Sequence, residues 1–159
     1  MKHLSLYESF DKKLIDVSDI RSIVVERLHT NEPFYEPLYF VNETAIDITS
    51  NIRRALLNTF GIDDYGKFVK FYRMNVLAHK LLEEQFNVCV ISGMKDNFNA
   101  YEFMKYLPEF KKHGMLVIMI GEALSTRIEN KAQTYYVTEK WVRSDKLVDV
   151  NSKTGLFEN

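Results

Sequence analysis

The sequence predicts an α/β fold: a small mixed sheet with a central parallel βαβ unit, helices on both faces and an antiparallel edge strand. Three observations carry this. Val88-Cys89-Val90-Ile91 and Met115 to Ile120 are continuously apolar and rich in β-branched residues, the pattern of strands buried on both faces. A connection of about 22 residues with a helical pattern lies between them, as a parallel strand pair requires. Beyond them, residues 134–142 are crowded with Tyr, Val, Thr and Trp, all β-prone. The predicted strands are therefore about 88–92 and 115–120 in the centre and about 134–142 at the edge.

In chain order, residues 1–30 read as an N-terminal helical arm of a single domain spanning 1–159. Ile20, Ile23, Val24 and Leu28 recur at helical spacing, and Ser18 suits the cap. Asn31, Pro33 and Pro37 then force extended backbone, and Leu38 to Val41 reads as a short strand. A helix follows with Asp47 or Thr49 at its start, Ile52, Leu56, Leu57 and Phe60 on its apolar face, and Gly61 at its left-handed end. Asp63 opens a second helix whose stripe of Tyr65, Phe68, Val69, Tyr72 and Val76 continues to about Gln85. The crossover helix has Asn99 and Glu102 at capping-box spacing, Pro108 to kink it or begin a new turn, and Gly114 at its end. Residues 147–150 add a short piece, and 151–159 read as a loose tail.

Composition bounds the function. The chain has 159 residues, 46% of them hydrophobic, with 21 basic against 22 acidic side chains. That length buries enough surface for a core without disulfides or metals. A net charge of −1 weighs against a dedicated nucleic-acid binder. Along the chain the balance separates into an acidic stretch, 32–47, and a basic one, 53–73. Cys89 is the only cysteine, which excludes an internal disulfide and a multi-cysteine zinc site. No apolar run reaches membrane-span length and no secretory h-region stands at the start, so the expected setting is cytoplasmic.

No catalytic fingerprint occurs. Ligands of parallel sheets sit beyond the carboxyl ends of the strands, which points to the loops Ser92–Asp96 and Gly121–Glu122. Ser92, Lys95, Asp96 and Glu122 are the candidate catalytic residues of a small nucleotide or phosphate enzyme. A strand-to-helix loop needs Gly and polar residues for its geometry alone, and neither GxGxxG nor a P-loop is present. The four histidines are scattered, so no metal site is expected, and a cysteine inside a strand is a small inert hydrophobe. Lys67, Lys70 and Arg73 share helical spacing and alternate with aromatics, and Arg53 and Arg54 lie on the helix before; the bland reading is a solvated basic face. Phe34, Tyr35 and Tyr39 lie in an aromatic segment suited to contact, unless the rings simply cover the sheet. Nine Tyr, eleven Phe and one Trp exceed what a small core needs, and such residues are enriched at interfaces.

The opening Met1-Lys2-His3-Leu4-Ser5-Leu6-Tyr7-Glu8-Ser9-Phe10 resembles the N-termini of small accessory and structural proteins of large tailed bacteriophages. The richness in Asn, Lys, Phe and Tyr is similar too. The resemblance covers ten residues, implies a viral context (host cytoplasm or virion) and transfers no functional residue. The expectation from the whole sequence is a non-enzymatic protein-binding or assembly protein without a cofactor. Its aromatic and basic surface would comprise Phe34, Tyr35, Tyr39, Arg53, Arg54, Lys67, Lys70 and Arg73. The alternatives are the small enzyme and a nucleic-acid-binding accessory protein.

Overall fold

Strands buried on both faces need covering layers, and the helices supply them. The structure, a computed structural model, describes residues 13–29 and 36–139. Its elements are β1 (Lys13–Asp16), α1 (Ile20–Leu28), β2 (Leu38–Asn42), α2 (Thr49–Phe60), α3 (Ile62–Phe68) and β3 (Val69–Arg73). They continue with α4 (Ala78–Glu84), β4 (Val88–Met94), α5 (Phe98–Met104), α6 (Leu107–Lys112), β5 (Leu116–Gly121), α7 (Thr126–Glu129) and β6 (Gln133–Thr138). The described strands form one six-stranded sheet in the order β1-β6-β2-β5-β4-β3, and every neighbouring pair is parallel.

Alternation along each strand divides the core into two layers. Leu38, Phe40, Val88, Val90, Leu116, Ile118 and Val137 face α1 and α2 and meet Ile20, Val24, Ile52 and Leu56. Tyr39, Val41, Cys89, Ile91, Val117 and Met119 face α4, α5, α6 and α7 and meet Leu81, Phe103, Met104, Phe110 and Ile128. Each fully buried Leu, Ile, Val or Phe stabilises the fold by about 1.5–3 kcal/mol relative to exposure. The central βαβ unit is β4, α5–α6 and β5, with Val90 in register with Ile118. Pro108 begins a new helix, α6, rather than kinking α5. Gly114 (φ 71°) ends α6, where the Met115 N–H reaches the Phe110 carbonyl and the Gly114 N–H that of Lys111, both at 3.0 Å. That pattern closes a helix with a left-handed glycine.

Four expectations are corrected. The strand near 134–142 is neither antiparallel nor at the edge: β6 runs parallel between β1 and β2. Its two mixed faces were the signature of an interior strand, and Tyr135 stacks on Phe40 with centroids 5.8 Å apart. The sheet is consequently all parallel rather than mixed. The strand outside β6 is β1, ahead of the expected N-terminal helix, with β3 at the opposite edge; Leu14 on β1 is 55% exposed, which left it no apolar signature. The long helix from 63 to 85 is instead α3, β3 and α4. Val69 fits both the helical stripe with Phe68 and Tyr72 and an alternation with Phe71, and the full ladder from Val69–Val88 to Arg73–Ser92 decides for the strand. The cap of α5 is Asn97, which accepts from the Ala100 N–H at 2.9 Å, and not Asn99. The expected tail and the piece near 147–150 lie outside the described residues.

Candidate functional site

In an open parallel sheet, a crevice forms where neighbouring strands send their connections to opposite faces. Here that place lies between β2, which leads to α2, and β5, which leads to α7, with Val41 beside Gly121. The loop after β2 has no glycine and is closed by its own bonds. Asn42 donates to the Ile46 carbonyl (2.8 Å) and accepts from the Thr44 N–H (3.0 Å) and hydroxyl (2.7 Å). Asp47 accepts from the Thr49 N–H at 3.0 Å, so a carboxylate already occupies the start of α2.

On the other side, a bulge with Gly93 at φ 80° carries the backbone of Met94 against Gly121, and the Glu122 N–H donates to the Met94 carbonyl at 2.9 Å. The candidate catalytic residues line these loops without converging on a substrate. The Ser92 hydroxyl turns back to the Tyr72 carbonyl (3.4 Å), Asp96 holds the Tyr101 hydroxyl, and Lys95 is exposed. Glu122 engages through its main chain, whose carbonyl accepts from the Tyr39 hydroxyl. Burial raises the Tyr39 phenol far above its ordinary range, and the carboxylates of Glu129 and Glu122 push it further. The loops around the crevice carry the exposed carboxylates Glu43, Asp47, Asp96 and Glu122 against the single exposed ammonium of Lys95, a balance that disfavours a phosphate. Among the described residues, no three His, Cys, Asp or Glu side chains gather in a metal-holding group.

Sequence reasoning missed Glu129, which is only 4% exposed. Its carboxylate accepts from the Leu124 N–H and from the Tyr136 hydroxyl. The bonds pin the loop between β5 and α7 onto β6. An isolated Glu in a short polar stretch carries no sign of burial, so nothing in the sequence pointed to it. Cys89 is buried in β4, and that burial pushes its thiol up to about 12. The thiolate is the reactive form, so Cys89 is expected to resist a disulfide reagent at pH 8 and to react at once in denaturant. Rapid native labelling, followed by absorbance, would contradict the burial.

The basic set does not share a helix face. Lys67 closes α3 beside Asp64 (3.7 Å), whereas Lys70 and Arg73 belong to β3. Lys70 is bound to Glu84 at 3.2 Å and lies over the rings of Tyr72 and Phe86. Hydrogen bonds from Tyr72 and then from Lys70 hold the Glu84 carboxyl below its usual range. Arg53 covers the Phe71 ring at 4.4 Å, and Arg54 is exposed. Tyr39 is fully buried and so unavailable as a surface, and Phe34 and Tyr35 lie outside the described residues.

The structure offers a different apolar surface. A cleft of about 340 Å³ opens between the loop Met74–Leu77 and α5, near the carboxyl end of β3. Leu77, Phe98 and Tyr106 border it while 63%, 72% and 46% exposed, and Phe103 forms part of its wall. Leu77 precedes α4 in extended conformation and Phe98 follows the Asn97 cap, so both helix starts hold their apolar residue out of the core. Leu77 falls within the segment that the sequence reads as one long helix, whereas the structure holds it exposed at the start of α4. No known protein-family model matches the chain, and no curated protein matches it.

Proposed function

We propose that this chain is a non-enzymatic protein-binding or assembly protein, acting through an aromatic surface on a protein partner or on copies of itself. The observation that carries this reading is the trio Leu77, Phe98 and Tyr106, left in water around one cleft. Large apolar side chains grouped in this way mark contact sites, and near-zero net charge favours association. The basic part of the expected surface loses support, because Lys70 and Arg53 are engaged within the fold. The nucleic-acid alternative weakens with it. The phosphate-enzyme alternative weakens because carboxylates rim the crevice at the strand ends. The viral setting, host cytoplasm or virion, rests on the resemblance at Met1–Phe10.

The test is the double variant Leu77→Ser/Phe98→Ser, examined by light scattering and by affinity capture from the cells that make the protein. Both side chains are exposed, so the variant is expected to keep the wild-type melting temperature while losing the association at least tenfold. A wild-type chain that is monomeric and captures nothing contradicts the reading.

A further inference from the structure

A cluster of lysines and a pair of exposed carboxylates lie at opposite ends of β2. At the amino end, a hollow of about 260 Å³ has Pro37, Met104, Leu107 and Pro108 as apolar lining, with Lys105, Lys111 and Lys131 around it. Glu36 is the one carboxylate of that lining, and it pairs with Lys111. Lys105 pairs with Glu102 at 2.8 Å, and Lys131 has no ion pair with a described residue. The lysines come from three places in the chain: after α5, within α6 and after α7. Three ammonium groups against one carboxylate in the lining, around an apolar floor, suit an occupant that brings negative charge together with a modest apolar side chain.

The chain itself carries such a segment at the other end of β2. In the exposed loop Glu43–Asp47, Ile46 is 41% exposed and lies between the carboxylates Glu43 and Asp47. Neither carboxylate has an ion pair with a described residue. We propose that the lysine hollow of one copy receives the Glu43–Asp47 loop of a second copy, in a head-to-tail contact between opposite ends of the sheet. The contact is heterologous: each copy keeps a free loop at one end and a free hollow at the other, so association continues into short open chains. Its small footprint places it among weak, transient contacts, and its charged rims make it dependent on salt. It is independent of the Leu77–Phe98 cleft.

Sedimentation velocity in the Leu77→Ser/Phe98→Ser background, at low salt and rising concentration, tests this contact apart from the cleft. The expected result is a sedimentation coefficient that climbs with concentration and falls back to the monomer value in 0.5 M salt. Lys105→Glu/Lys131→Glu should remain monomeric, and so should Glu43→Lys/Asp47→Asn, in which the amide still caps Thr49. An equimolar mixture of the two variants should associate again, since each supplies the charge the other has lost. Melting curves establish that both fold. The proposal is overturned if the starting chain stays monomeric, if either variant associates unchanged, or if the mixture fails to associate.

Discussion

Gly121→Ala is expected to lower stability by about 3 kcal/mol or more, because overpacking falls on rigid main chain. A Cβ at this position would lie 2.2 Å from the Met94 carbonyl oxygen and 2.6 Å from Met94 Cα. Those atoms are held by the bulge that shifts the register between Ile91 and Met94, and the Glu122 N–H is bonded to the same carbonyl. Relief would therefore require β4 and β5 to separate at the centre of the sheet. At 2–4 °C per kcal/mol for a chain of this size, the melting temperature should fall by roughly 6–12 °C. Gly93→Ala is the control. Gly93 has φ 80° but open space around it, so alanine there incurs only conformational strain of about 1–2 kcal/mol. Equal losses in the two variants, measured by circular dichroism, would mean that contact with Met94 is not what requires glycine at 121.

Glu129→Ala is expected to cost about 3 kcal/mol, since it removes a buried acceptor shared by two donors. The Leu124 N–H and the Tyr136 hydroxyl both end on this carboxylate, and the Glu129 side chain is buried. Tyr136→Phe removes one donor and leaves the Leu124 bond, so its cost is about 1 kcal/mol. The double variant should cost less than the sum, because the two changes remove a shared contact. A pH dependence accompanies the pair. Burial, followed by the hydrogen bond to Glu129, raises the Tyr136 phenol above its usual 10.0. Its folded-state affinity for the proton exceeds its unfolded one, so this stabilisation is complete below pH 10 and declines as pH rises beyond it. Denaturant melts between pH 8 and pH 11 should show that decline in the wild type and a smaller one in Tyr136→Phe. Strict additivity, or an unchanged alkaline slope, would place Tyr136 and Glu129 in separate environments.

Fold class was legible where burial is two-sided. Val88–Ile91 and Leu116–Ile120 have no polar alternation because helices cover both faces, and that gap in the pattern is itself the signal. Legibility ended where two periods coincide. Between Asp63 and Gln85 the apolar residues fit a helix and a strand equally, and long-range pairing of β3 with β4 chose the strand, which no local propensity reveals. β1 was invisible because an outer strand of four residues, with Leu14 exposed, buries too little to leave a pattern.

The site was less legible than the fold. Aromatic excess pointed to a contact surface, but identity does not say which rings turn inward. Tyr39 is buried beneath the loop after β5, whereas Phe98, at the start of the crossover helix, is held in solvent. Glu129 shows the converse: a charged side chain drawn into the core by a backbone donor and a tyrosine that are distant from it only in sequence.

The most direct test of a protein-binding surface at this cleft is a photo-reactive side chain placed at it. Benzoylphenylalanine at position 98, irradiated in the cells that make the protein, should yield a discrete protein adduct. The same group at Glu83, an exposed position of α4 outside the cleft, should yield none. Absence of an adduct from position 98, or an identical set of adducts from both positions, would contradict the assignment.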